Sequence, residues 1–374
     1  MMGPEIEIII IASLVAIACA IPGVFLVLRK MSLMSDAIGH SILLGIILSF
    51  FIIKDVSSPL LIIGAALTGV LTVTMTEIII NTGKLKEDAS IGLVFPFLFS
   101  IGVILITKYA GSVHIDTDAV LLGELAFAPF HRAEFFSIDL PVSIWIVSAI
   151  LFVNVLFVLL FYKELKIATF DPGLATALGF SPQLLHYALM TLVSITTVGA
   201  FDSVGAVLVV ALMIAPPATA YLLTNDLLFM ILLSSFFGIL SAVSGYFVAN
   251  YFNASIAGSI AMMTGVFFFL AFLFSTSHGI IFKALYHHKR KHLFATQMLI
   301  VHLSLHQGKP EEKIENTISN SMKHLNWSES FTKKSVDLGL KKKWMTKKGN
   351  QLSLTKEGKQ VAIEVMTTTK LIEE

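Results

Sequence analysis

Two residues that could hold a metal ion, Asp36 and His40, lie four positions apart at the start of a long apolar stretch. In a helix, this spacing places both side chains on one face. Ionisable groups inside a membrane segment are costly, and they usually face a partner, a cavity or an ion path. A carboxylate oxygen beside an imidazole nitrogen also makes a reasonable half of a site for a divalent transition metal. The pair therefore makes metal ion transport the hypothesis to test.

The same pair has a purely structural interpretation. Ser35 or Asp36 could cap the helix that follows, because serine and aspartate are favoured at helix N-caps. His40 could hydrogen-bond Asp36 or a neighbouring carbonyl group without contacting a metal. One carboxylate and one imidazole are too few ligands for a transition-metal site. Two copies of the pair across a dimer axis would offer two oxygens and two nitrogens, so we hypothesise a site shared by two subunits and used transiently during alternating access.

Three further polar residues are weaker candidates for metal contact. Glu77 lies near the cytoplasmic end of an apolar run and could simply reach water. Asp202 lies at a junction between two apolar runs, where helix capping is the favoured role. His278 follows the last apolar run, where the chain leaves the membrane.

The composition places most of the chain in a lipid bilayer. Hydrophobic residues make up 56% of it and charged residues 14%, whereas soluble domains carry about 25% charged residues. Charge is divided unevenly, because residues 1–286 hold 10 basic and 16 acidic side chains, whereas residues 287–374 hold 16 and 9. We therefore predict a membrane domain over 1–286 and a basic cytoplasmic domain over 287–374. The single cysteine, Cys19, excludes an internal disulfide.

Apolar runs of about 20 residues are long enough to cross a bilayer as helices. Nine such runs are present, although only three residues separate the sixth from the seventh. We therefore expect an all-α polytopic membrane protein with eight or nine transmembrane helices, followed by a small α+β domain. The predicted spans are 6–28, 36–53, 59–80, 90–107, 140–162, 183–199, 203–222, 227–249 and 256–276.

The short loops predict the orientation of the chain. Basic residues at 29–30, 84–86, 163–166 and 283–292 alternate with loops that carry fewer of them. Basic loops face the cytoplasm. We therefore expect a protein of the cell membrane with its N-terminus outside and its C-terminal domain in the cytoplasm, which an odd number of spans also requires.

Two local features could belong to a transport path. The longest external stretch, 108–139, is acidic and could raise the local cation concentration, or it could simply be a solvated loop. Pro216 and Pro217 interrupt the span at 203–222. Because proline lacks a backbone donor and kinks a helix, we expect a kink at this point and no direct contact with substrate.

Three segments of the membrane domain resemble one family. The segment from Leu28 to His40, LRKMSLMSDAIGH, is similar to the R-x-M-S-L-M-x-D-A-x-x-H signature of the metal-transporting ABC permeases that import manganese, zinc or iron. The segments FDPGLATALG (170–179) and VGAVLVVALMIAPPATAYLL (204–223) resemble two further segments of that family. The match covers about residues 5–283 in order, and it implies a bundle like that of type II ABC importers.

The resemblance implies partners and a cargo. An importer of this family would combine the chain with a cytoplasmic ATP-binding subunit, an extracellular metal-binding lipoprotein and a second permease subunit, either identical or a paralogue. The sequence contains no G-x-x-x-x-G-K-[ST] phosphate loop, so the chain itself is predicted not to hydrolyse ATP. We expect no permanently bound cofactor and a transported metal, manganese before zinc or iron. The alternatives are an ion-coupled secondary transporter and a membrane-tethered transcription regulator.

The loop at 163–183 is the predicted contact with the ATP-binding subunit. It starts with basic residues and then offers an Asp-Pro pair before a short helix. The resemblance implies that this helix is a coupling helix seated in the ATPase; otherwise it is an ordinary connection containing proline. The residues assigned to coupling are Phe170, Asp171, Pro172, Gly173, Leu174, Ala175, Leu178 and Gly179.

The C-terminal pattern resembles the winged helix domain of iron- and manganese-dependent repressors. A helical period at 294–305 is followed by a second helix, opened by Pro310 and ending near Leu325, and by a third from Ser328. Two short strands within 344–355 and a closing helix complete the pattern.

The lysines of this domain leave its partner open. They could contact phosphates of nucleic acid or the lipids of the anionic inner leaflet. A domain tethered to a membrane meets DNA poorly, so we favour a regulatory or docking role over operator binding. The lysines concerned are Lys333, Lys334, Lys341, Lys342, Lys343, Lys347 and Lys348.

Overall fold

The chain divides into two compact units, Met1–Gly279 and Ile280–Glu374. This division comes from a computed structural model that describes residues 3–54, 60–109, 125–135, 138–275 and 279–373. The boundary lies slightly before the one expected from charge, at 286/287. Each unit has its own buried apolar core.

Nine helices of the described residues are long and apolar enough to cross a membrane, which agrees with the nine predicted spans. Their observed ends lie within a few residues of the predicted ones, because the apolar runs set both. The helices are α1 (Pro4–Leu28), α2 (Leu33–Ile53), α3 (Leu60–Asn81), α4 (Glu87–Tyr109), α5 (Val142–Leu160), α8 (Pro182–Val204), α9 (Ala206–Leu223), α10 (Leu227–Phe252) and α11 (Ile256–Phe274). Two short helices, α6 (Tyr162–Phe170) and α7 (Pro172–Ala177), connect α5 to α8.

Helix α1 is the centre of the bundle. It packs against α5, α8, α9 and α10, and nearly all its residues from Ile11 to Leu26 are buried. Buried polar side chains join it to its neighbours. The side-chain amide of Asn154 in α5 donates to the carbonyl oxygen of Ala18 at 2.8 Å and to Oγ1 of Thr196 in α8 at 3.0 Å. Such bonds satisfy polar groups that the bilayer cannot.

Helices α2 and α3 lie unusually close together. A side chain on Gly45 would collide with the backbone carbonyl of Gly64 and with the hydroxyl of Thr68. Small residues at such a crossing let two backbones approach, which is how membrane helices gain packing contacts. One turn away, the hydroxyls of Ser41 and Thr72 are hydrogen-bonded at 2.6 Å. The helix that carries Asp36 and His40 is therefore held tightly against α3.

Helix α9 continues through Pro216 and Pro217 as one helix from Ala206 to Leu223. Proline at 217 leaves the carbonyl of Met213 without its usual i+4 donor. Gly23 of α1 packs directly against that carbonyl, and a Cβ there would overlap it. The helix is thus supported by a close neighbour at the point where its hydrogen-bond ladder is interrupted. A single residue, Gly205, separates α8 from α9, and its φ of 81° suits glycine.

A short antiparallel hairpin precedes α5. Strands β1 (Arg132–Phe135) and β2 (Ile138–Pro141) pair with Arg132 opposite Pro141. The Arg132 guanidinium contacts both carboxylate oxygens of Asp139 at 3.0 and 2.9 Å, and both of Glu7 at 3.1 and 3.0 Å. The Glu7 side chain is only 2% exposed. Arg132 thus pairs with two carboxylates and offsets one of their two negative charges; the acidic residues from 110 to 124 lie outside the described residues.

The C-terminal unit consists of five helices and one hairpin. These elements are α12 (Ile280–His306), α13 (Glu312–Glu315), α14 (Ile318–His324), α15 (Glu329–Lys341), β3 (Met345–Lys348), β4 (Gln351–Leu354) and α16 (Lys356–Glu373). The third helix, the hairpin and the closing helix lie where the sequence predicts them. The expected single helix from Pro310 to Leu325 is wrong, because Asn316 and Thr317 divide it into α13 and α14. Thr317 caps α14 through its side chain and pairs with Gln351 of the hairpin.

Candidate metal and coupling sites

The Asp36 and His40 side chains meet on helix α2, with Nε2 of His40 3.4 Å from Oδ1 of Asp36. Helix α2 begins at Leu33, so Asp36 lies in its first turn and Ser35 inside the helix. The residue at the N-cap is Ser32, and its side chain makes no capping hydrogen bond. The alternative in which Ser35 or Asp36 caps the helix is therefore wrong, because the helix starts three residues earlier than predicted.

The pair lies on a face of α2 that the bundle leaves uncovered. The side chains of Asp36 and His40 are 41% and 36% exposed, whereas neighbouring Ala37 and Ile38 are fully buried. Two aromatic rings of α4 flank the imidazole: Phe95 is stacked on it at 5.7 Å between centroids, and Phe99 meets it edge-on at 6.1 Å. The rings fix the imidazole and leave the carboxylate open.

The weaker candidates do not join this pair in the described residues. Glu77 neither reaches water freely nor contacts Asp36; its carboxylate contacts His186 of α8. For Asp202 only the backbone is described, at the end of α8, and His278 lies outside the described residues.

Glu77 belongs instead to a chain of polar contacts through the bundle. Its Oε1 lies 2.5 Å from Nε2 of His186, and it also accepts a hydrogen bond from the Tyr187 side chain. Arg29, directly after α1, donates from its Nη1 to Nδ1 of His186 at 3.1 Å. Because arginine can only donate, Nδ1 accepts, and the proton of a neutral imidazole lies on Nε2 toward the carboxylate. The contacts thus fix the tautomer of His186.

The other end of this contact chain reaches the connection between α5 and α8. Arg29 donates from Nε and Nη2 to Oγ1 of Thr169, at 3.3 and 3.2 Å. Thr169 is in the last turn of α6, two residues before Asp171. We call Thr169, Arg29, His186 and Glu77 the polar relay. It joins α6, the end of α1, α8 and α3, and α3 packs against α2.

The short helix α7 presents an apolar surface. Asp171 caps it by accepting from the backbone N–H of Leu174 at 2.9 Å, and Gly179 ends the turn with a φ of 88°. Phe170, Leu174 and Leu178 are 60%, 49% and 56% exposed. Leu174 and Leu178 are four residues apart and lie on one side of the helix, while Phe170 is the last residue of α6, just before α7. Ala175, between Leu174 and Leu178 in sequence, is fully buried and anchors the helix to the bundle. A row of exposed apolar side chains of this kind marks a contact surface.

Sequence reasoning missed Arg29 and His186 as members of a site. A histidine within an otherwise apolar run is a signal that could have indicated His186. In the sequence, Arg29 is a charge that sets orientation and part of the segment that resembles the permease signature, and neither feature predicts its contacts. Neither residue predicts the other, because 157 positions separate them.

The fold and these contacts define a multi-pass membrane transport subunit. The chain belongs to the ABC 3 transport family, whose model matches residues 6–275. It is 47% identical over 356 residues to the zinc transport system membrane protein TroD of Treponema pallidum, covering 95% of this chain and 97% of TroD. It is also 47% identical over 285 residues to the manganese transport system membrane protein MntD of Bacillus subtilis, covering 76% of this chain and 96% of MntD.

A solved structure has the same fold as most of the chain. It is PsaBC from Streptococcus pneumoniae in complex with a Fab. The similarity has a TM-score of 0.62 and 33% identity, and it covers 74% of this chain and 94% of the matched chain.

Proposed function

We propose that the chain is the membrane-spanning permease subunit of an ATP-driven importer that moves manganese or zinc into the cytoplasm. The carrying observation is the Asp36–His40 pair, held at 3.4 Å on an otherwise apolar helix and left uncovered by the rest of the bundle. Family membership and the named cargo of TroD and MntD support the choice of a divalent metal. We place the N-terminus outside and the C-terminal unit in the cytoplasm, following the basic loops.

The metal site in this proposal is shared by two permease subunits. An exposed carboxylate and imidazole facing lipid would be unfavourable, so the uncovered face of α2 is expected to face protein. A second permease contributing the same pair would complete a set of two oxygens and two nitrogens, which suits a first-row divalent ion. The metal is cargo here, so binding is transient and alternates with release on the cytoplasmic side.

In this proposal, the ATP-binding subunit acts on the chain through contacts with α7. We assign its exposed row, Phe170, Leu174 and Leu178, to a groove of a separate ATP-binding subunit. The polar relay then connects the end of α6 with α3 and, through packing, with the helix that holds Asp36. A physical connection of this kind is a hypothesis about coupling until its energy is measured.

Reconstitution tests the proposed class directly. Proteoliposomes that hold the chain with its cognate ATP-binding subunit, and its metal-binding lipoprotein outside, are expected to take up manganese or zinc only when ATP is present inside. The chain alone is expected to give no uptake. Uptake by the chain alone, driven by an ion gradient, would identify a secondary transporter instead.

Arg29→Ala tests the polar relay. The variant loses the donors that join Thr169 to His186, so we expect metal uptake to fall several-fold while the ATP-binding subunit still copurifies and still hydrolyses ATP. Lys30→Ala, which removes the adjacent exposed charge, is the matched control and is expected to transport normally. Equal uptake by the Arg29 variant and the control would show that the relay is only structural.

The C-terminal unit is proposed to regulate or dock rather than to transport. The similarity to MntD covers 96% of MntD but only 76% of this chain, so about a quarter of this chain has no counterpart in MntD. TroD, in contrast, is matched over 95% of this chain. Transport of this kind is thus associated with chains both with and without the extra segment. The element order of this unit supports its interpretation as a winged helix.

Deleting residues 290–374 is expected to leave ATP-dependent uptake within about twofold of the full chain at low metal. The deletion is expected to change how uptake responds as cytoplasmic metal rises. The measurement is initial uptake rate against metal preloaded inside the vesicles. Loss of uptake under all conditions, with the shortened chain still inserted in the membrane, would assign the unit to transport itself.

A further inference from the structure

A second group of metal-binding side chains lies in the C-terminal unit. His302 and His306 are one turn apart on α12, and Glu315 ends α13. One donor atom from each of these three residues lies within 4.8 Å of the other two. His324, at the end of α14, adds a fourth side chain: its Nε2 is 3.1 Å from Oε2 of Glu315. We call these four residues the tail cluster.

Two imidazole nitrogens of the tail cluster have no hydrogen-bond partner among the described residues. Nε2 of His302 and Nδ1 of His306 are buried and have no hydrogen-bond partner among the described residues. The His302 ring also lies beside the backbone of Glu315, which interacts with it. Histidine ligands of metals commonly donate their other nitrogen to a backbone carbonyl, which fixes the ring and directs the free lone pair toward the ion.

The packing of the four side chains is otherwise unfavourable. The ring centroids of His302 lie 4.8 Å from those of His306 and 5.8 Å from those of His324. His324 contacts the Glu315 carboxylate, but the unpartnered buried nitrogens of His302 and His306 carry a desolvation cost, which a bound cation would offset.

We propose that His302, His306, Glu315 and His324 bind one divalent transition-metal ion of the zinc class in the C-terminal unit. Three imidazole nitrogens and one carboxylate oxygen form a usual four-coordinate set for zinc, whereas manganese favours oxygen ligands. Ligands about 2.1 Å from a tetrahedral ion lie about 3.4 Å apart. The donor atoms of His302, His306 and Glu315, now within 4.8 Å of one another, must therefore approach by about 1 Å, and His324 must turn its Nε2 from Glu315 toward the ion.

An ion at this position would act on the hairpin. Glu315 is followed directly by Asn316 and Thr317, and the carbonyl of Asn316 accepts from the backbone N–H of Leu352 in β4 at 2.8 Å. Ile318 in turn donates to the carbonyl of Asn350 at 3.1 Å. Drawing Glu315 toward α12 would therefore move the strand that these bonds hold. Metal occupancy is expected to set the position of the hairpin and its lysines.

The test measures zinc binding to the purified full chain that carries Asp36→Ala and His40→Ala. This background removes the proposed transport site, so the result does not depend on the proposed function. We expect one zinc ion per chain, tetrahedral visible absorption when cobalt replaces zinc, and binding weakened at least about 100-fold by His302→Ala with His306→Ala. The matched control, His287→Ala with His288→Ala, removes another pair of tail histidines and is expected to bind normally.

A second variant keeps the result interpretable if the double substitution unfolds the unit. His324 is 54% exposed, so His324→Ala is expected to fold, to weaken zinc binding by about 10-fold or more and to alter the cobalt spectrum. Zinc binding that survives in both cluster variants, or that is lost equally in the control, would overturn the proposal.

Discussion

Alanine at either Asp36 or His40 is expected to reduce ATP-dependent metal uptake at least about 100-fold, because a residue that binds the metal directly matters at least as much as the groups that orient such residues, whose loss costs about 10–100-fold. In the two-subunit site, each substitution removes two of four ligands. Both side chains are more than a third exposed, so neither change should unfold the bundle. The measurement is initial uptake of radioactive manganese or zinc into proteoliposomes that hold the complete transporter.

Two companion variants make this result specific. Asp36→Asn keeps the size of the side chain and loses its charge, so it is expected to fail almost as completely as alanine. Asp88→Ala is the matched control, since Asp88 is also an exposed aspartate in the first turn of a span, here α4. Normal uptake by the Asp36 and His40 variants would leave the pair as a polar contact without a role in transport.

Leu174→Asp is expected to abolish association with the ATP-binding subunit and, with it, all ATP-dependent uptake. Leu174 is the middle of the exposed apolar row on α7, and it is 49% exposed. A charge there would have to be desolvated without a partner when the two subunits meet, which costs several kcal/mol. The measurement is copurification of the two subunits, followed by ATP hydrolysis and uptake in proteoliposomes.

Thr176→Asp provides the control for this prediction. Thr176 is exposed on the same short helix, but a spacing of two residues places it away from Leu174 and Leu178. It introduces the same charge and should leave association intact. If the Leu174 variant copurifies and transports like this control, the apolar row is not the contact with the ATPase.

The sequence predicted the membrane part of the fold well and its contacts poorly. Apolar runs fix where helices cross a bilayer, so nine spans and most of their ends could be predicted. The start of α2 could not be predicted, because the side chain of Ser32, the N-cap residue, makes no capping hydrogen bond. The division of α13 from α14 at Thr317 depends on pairing with Gln351, which is distant in sequence.

The candidate sites also differ in how much of their geometry could be predicted from the sequence. Asp36 and His40 are four residues apart, so local helix geometry was enough to predict their meeting. His186 meets Arg29 and Glu77 only because three separate helices pack together. No local pattern carries that information. The apolar side of α7 is an intermediate case: its spacing is local, but its exposure depends on how Ala175 packs.

The close approach of Gly45 and Gly64 has a mechanical consequence. Two helices in backbone contact, with Ser41 and Thr72 bonded beside them, cannot slide past each other without large overlap. Helices α2 and α3 are therefore expected to move as one rigid body. A displacement applied to Glu77 by the polar relay would then be passed to Asp36 and His40, and the proposed metal ligands would move with α3.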